Sequence, residues 1–77
     1  MKEGHINKGD AQQIAVEYLK TTKYVEKVEV SVVEQDKETW IVRGTCPIDL
    51  AGHPWAEKFE LTIDNKGKVK STEYALL

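Results

Sequence analysis

A single cysteine, Cys46, in 77 residues excludes an internal disulfide. A reducing compartment is therefore the first expectation, with an intermolecular bond or a free thiol still open. Apolar runs are short. No stretch approaches the ~20 residues that a membrane-spanning helix needs, and Met1 to Asn7 lacks the apolar centre of a signal peptide. The expectation is a cytoplasmic chain with no membrane partner. Positive charge is not in excess either: 11 Lys and Arg stand against 13 Asp and Glu, for a net charge of −2. Nucleic acid is not an expected partner, because neutralising phosphates needs a concentrated basic surface. The glycines make no phosphate-cradling loop, since Gly4 and Gly9 flank a helix start that no strand precedes.

What is present is one apolar stripe at helical spacing followed by two-residue alternation. A chain of this length holds one domain, with residues 1–6 as a flexible lead and residues 7–77 as the folded body. The core of so small a body is modest, so a bound partner or a second copy is a ready source of extra stability. Asn7 is a good N-cap, and Asp10 three positions later favours the positive end of the helix dipole. Ala11, Ile14, Ala15, Tyr18 and Leu19 then fall on one face, with Gln12, Gln13, Glu17 and Lys20 opposite. The small alanines predict close approach to a sheet.

From Val28 the period is two. Val28, Val30 and Val32 share one side, with Glu29, Ser31 and Val33 on the other. After the polar reversal Gln35 to Glu38, Trp40 and Val42 form one side, which Cys46 can join, while Ile41, Arg43 and Thr45 take the opposite one. Gly44 marks a bulge or a close backbone approach. Pro47 to Trp55, broken by Gly52 and Pro54, reads as a long connection. Phe59, Leu61 and Ile63 alternate cleanly with charged and hydroxyl residues, and Asp64 to Gly67 is a hairpin turn. The fold expected is α+β: helix 7–22 packed on an antiparallel sheet of about four strands in meander order. The strands fall near 25–35, 39–46, 57–64 and 68–75, and one sheet face is left open.

The helix from Ala11 to Leu19, the strand Trp40-Ile41-Val42 and the ending Phe59 to Val69 together resemble the PepSY family of small domains. That ending, with Ile63, Asp64, Gly67 and Val69 in place, is similar to the family's alternating strand, Asp, Gly-containing turn and Val. The resemblance implies a cystatin-like, helix-on-sheet shape and a regulatory or inhibitory module acting on peptidases. This chain differs in its long 47–55 connection, and Met1 to Asn7 do not show the pattern of a signal segment.

Chemistry-bearing residues are sparse. Cys46 with His53 is the beginning of a nucleophilic site, but no third orienting group and no oxyanion pocket accompany it. Adding Asp49 and His5 gives a mixed ligand set without the short Cys or His pairs typical of zinc sites. No metal or cofactor is expected, and Cys46 is better read as a structural thiol. Glu57 and Glu60 fall on opposite faces of their strand, which argues against a paired-carboxylate mechanism.

The expectation is a non-enzymatic binding or protein-interaction module with two candidate surfaces. One is the open sheet face, where Val33, Ile41 and Tyr74 form an apolar island beside Arg43, suited to a protein or peptide partner or to a homodimer. Tyr74 is also the single aromatic there on which a base could stack, too few for a single-strand nucleic-acid platform. The other surface is the 47–55 segment. There Ile48, Leu50 and Trp55 either cover one end of the core or, with His53, form a recognition loop whose anchor is an exposed Trp55. The alternative function is peptidase regulation or inhibition, as the PepSY resemblance implies.

Overall fold

Asn7 starts the helix by reciprocal capping. Its Oδ1 accepts the Asp10 amide at 2.8 Å, and its own amide donates to the Asp10 carboxylate at 3.1 Å. Two amides that the helix leaves without a partner are thereby satisfied. The structure, a computed structural model, describes residues 5–77, so residues 1–4 of the expected lead lie outside the described residues. Ile6 belongs to the packed body: its amide donates to the Asn65 carbonyl at 2.9 Å, and its side chain lies against the core.

The helix α1, Lys8–Thr22, is followed by β1 (Glu29–Asp36), β2 (Thr39–Leu50), β3 (His53–Asp64) and β4 (Val69–Leu76). The four strands form one antiparallel sheet in the order β1-β2-β3-β4, which is the expected meander. Ala11, Ala15 and Leu19, spaced four apart, are fully buried against Val42, Leu61 and Ile63 of the two central strands. The paired alanines bring the helix backbone close to the sheet. Phe59, Trp40 and Cys46 complete the buried set.

Two irregularities change which side chains face the helix. Ser31 is an extra residue in β1: Val30 pairs with Gly44, but Val32 pairs with Arg43. Strict alternation put Val33 on the open face. The bulge instead turns it to the helix side, opposite Val42, and sends Val32 outward. A second bulge, at Lys70, shifts β4 so that Val69 pairs with Ile63 and Tyr74 with Phe59. Tyr74 therefore also lies on the helix side rather than the open face.

The expected 47–55 connection is not a loop. β2 and β3 run on through it in register, Pro47 opposite Ala56 and Leu50 opposite His53, and turn at Ala51-Gly52. Both turn residues have positive φ, +50° and +88°, as a type I′ hairpin turn requires. The prolines are tolerated because β1 stops pairing at Thr45 and the β4 ladder ends at Glu57. Beyond those points the hairpin is a two-stranded ribbon whose outer edges need no further partner.

A twelve-residue strand is about 40 Å long, whereas a fifteen-residue helix is about 22 Å. The ribbon consequently projects past the end of α1, and the molecule is 49 Å in its longest dimension. Among the described residues no helix is long and apolar enough to cross a membrane.

Candidate functional site

Alternation continues unbroken along the ribbon. Residues Cys46, Ile48 and Leu50 of β2, His53, Trp55 and Glu57 of β3, and Leu76 of β4 thus share the side that carries the helix further back. The helix covers Cys46 and its C-cap Lys23 reaches Glu57, but it ends before Leu50, His53 and Trp55. Trp55 is 51% exposed, Leu50 38% and Leu76 56%, so the apolar side of the sheet continues into solvent without a covering layer. Ile48, Leu50 and Trp55 do not fold back over the core. The Trp55 indole is nevertheless held in place, since its N–H donates to the Leu77 main-chain oxygen at 2.9 Å.

The base of this surface is built by the helix C-terminus. The Lys23 ammonium bonds Glu57 at 2.7 Å and lies 4.1 Å from the centre of the Tyr74 ring. Its pKa is raised, chiefly by the Glu57 hydrogen bond. Tyr24 follows, with φ +56° and 89% exposure, beside Val25, Pro47 and Ile48. Helices commonly end on a left-handed residue, but that residue is usually glycine. In an L-residue with a bulky side chain the conformation costs roughly 1–2 kcal/mol. The tyrosine ring, almost wholly in water, returns nothing to the fold for that cost.

Cys46 and His53 do not meet. Cys46 pairs with Glu57 and His53 with Leu50, four ladder positions apart or about 13 Å along the strand. The thiol is buried, and burial pushes its pKa up, which disfavours the thiolate a nucleophile requires. Glu57 and Glu60 lie on opposite faces as expected, Glu57 against Cys46 and Glu60 against Arg43. Among the described residues no three His, Cys, Asp or Glu side chains converge as a metal site would need.

The open sheet face carries a concavity of about 400 Å³ whose lining includes Val32, Arg43, Lys58, Glu60 and Ala75. Arg43 sits between Glu34 at 3.4 Å and Glu60 at 3.6 Å, with its charge already compensated. With Val33 and Tyr74 turned away, Ile41 is the one member of the expected island left there, and Val32 is the apolar residue that joins it. The helix and β4 border a second groove of about 760 Å³. Ile14, Tyr18 and Val69 give it apolar lining, and Asp10 and Glu17 line it as well.

The signal for the ribbon was in the sequence: Ile48, Leu50 and Trp55 keep the alternation through the prolines, and Tyr24 sits at the helix stop. Comparison with known proteins found no matching family model, no matching curated protein and no matching solved structure.

Proposed function

We propose that this chain is a non-enzymatic protein-binding module that works through the uncovered side of the β2–β3 ribbon. The observation that carries the reading is Trp55: a large, half-exposed aromatic, locked by its hydrogen bond to Leu77, on an apolar surface with no second layer. Rigid aromatics with a satisfied polar atom are the side chains that anchor interfaces, because covering them costs little conformational entropy. Tyr24 supports the same reading. Unlike Lys37 and Ala51, whose left-handed backbones belong to hairpin turns, Tyr24 keeps its positive φ outside any hairpin and with its ring in water.

The test is site-specific photo-crosslinking in the cells that make the chain, with the reactive side chain placed at position 55 or at position 41. A discrete protein adduct from position 55, and none from Ile41 on the open face, is the expected result. No adduct at 55, or equal adducts at both, would remove the reading. Peptidase regulation is a narrower form that rests on the same projecting hairpin. It requires that the purified domain slow a peptidase and that Trp55→Ala abolish the effect.

A further inference from the structure

We infer that the occupant of the ribbon surface is a second copy of this chain, docked about a two-fold axis so that each ribbon covers the other. The inference rests on the reading of that surface as a protein-binding site and names its partner.

Three observations converge on it. The first is charge. On the helix side of the ribbon Glu57 is bonded to Lys23, and Asp49 points the other way with its carboxylate on the Gly52 amide at 2.8 Å. Among the described residues on that side of the ribbon, His53 at the tip is the one Asp, Glu, Lys, Arg or His side chain without a bonded partner, and the Cys46 thiol is buried. A charged partner gains nothing there, whereas a second uncharged apolar surface leaves no ion unpaired.

The second is area. Scaled by their exposures, Tyr24, Leu50, Trp55 and Leu76, with Ile48 between them, offer on the order of 600 Å² per copy. Fully covered, two copies together lose at most about 1,200 Å², the lower end of the range for specific protein interfaces. The third is shape. Leu50 lies at the tip, Trp55 lies midway along the ribbon opposite Ile48 with Tyr24 beside that pair, and Leu76 lies at the base opposite Glu57. An antiparallel two-fold arrangement sets the tip of each ribbon on the base of the other, which makes the surface self-complementary and closes the assembly at two. Each ribbon then supplies the layer that the fifteen-residue helix is too short to provide.

Sedimentation equilibrium of the purified full chain from micromolar to millimolar concentration tests this, with three variants. The wild type should sediment as a closed dimer. Trp55→Glu and Tyr24→Gly should each weaken the dimer roughly tenfold or more, and Ile41→Lys should leave it unchanged. Tyr24→Gly guards against misfolding, since relief of the positive φ should raise the unfolding midpoint of the dilute monomer while the dimer is lost. A wild type that stays monomeric throughout overturns the inference, as does open-ended growth. A dimer broken by Ile41→Lys but retained in Trp55→Glu and Tyr24→Gly overturns it equally. If the wild type is monomeric and crosslinking at position 55 still captures another protein, the second copy is wrong and the binding surface stands; if neither associates, both fall.

Discussion

Gly44 of β2 lies directly across from Val30 of β1, and a Cβ at position 44 would stand 2.9 Å from both the Val30 Cα and the Phe59 ring. It would also collide with the Glu29 carbonyl oxygen. Backbone cannot swing aside as a flexible side chain can, so Gly44→Ala should detach the start of β1 or tilt the Phe59 ring. A loss of about 2–3 kcal/mol in denaturant unfolding is expected. A loss below about 0.5 kcal/mol, the scale of ordinary surface changes, would contradict the close approach.

The same contact shows how far the residues alone could be read. Gly44 is legible as a bulge or close approach, and the close approach is there, but the extra residue sits in the facing strand at Ser31. Nothing in the run Val28 to Val33 distinguishes it from an unbroken strand, because valine fits either face. One inserted residue inverts everything after it, and Val33 goes inward for that reason. Tyr74 follows the same logic through the bulge at Lys70. The helix stripe and the Phe59-Leu61-Ile63 row needed no such correction, since each mixes apolar with charged positions that only one face can accept. Pro47, Gly52 and Pro54 read as breakers because they would break a central strand. They sit on a two-stranded ribbon, where proline is admissible, and the number of neighbours a strand will have is not written in its own residues.

Ala51 occupies the first left-handed position of the ribbon turn with φ +50°, and its side chain is exposed, so no burial offsets the strain. Ala51→Asn creates the Asn-Gly pair that this turn type favours, and Ala51→Gly removes the Cβ outright. Either should stabilise the domain by about 0.5–1 kcal/mol. The denaturation midpoint should rise with an unchanged slope, since the buried surface is the same. A fall in the midpoint would mean that the turn is not of this type.

Asp64 closes the β3–β4 turn by accepting the amides of Lys68 at 2.8 Å and Lys66 at 2.9 Å through one oxygen. Those bonds, the Lys68 amide first, hold its carboxyl below the usual aspartate range. A lowered folded pKa means that the stabilisation is present above the unfolded value, about 3.9, and is lost as pH falls through the folded one. Asp64→Asn keeps an oxygen acceptor without the titration. Its stability between neutral and acid pH should therefore fall less steeply than that of the wild type. Parallel acid profiles for the two proteins would show that the turn does not depend on the charged form.

Cys46 provides a probe of the junction between the covered core and the bare ribbon. Its thiol is buried, with its pKa pushed up first by desolvation and then by Glu57, while Lys23 acts in the opposite direction. A thiol reagent should therefore modify the native chain on the order of 100-fold more slowly than the unfolded chain, because reaction has to wait for opening. The pH dependence carries a sign. A thiol whose folded pKa is raised contributes full stability below the unfolded value, about 8.5, and that stability declines as pH rises through and above it. Lys23, also raised, behaves in the same direction but only above about 10.4. Between those two values the alkaline loss belongs to Cys46. Cys46→Ala should be less stable at neutral pH, from the cavity it leaves, yet flat across this window where the wild type declines. Equal slopes in the two proteins, or modification as fast in the native state as in denaturant, would place the thiol in solvent and open the sheet where α1 meets the ribbon.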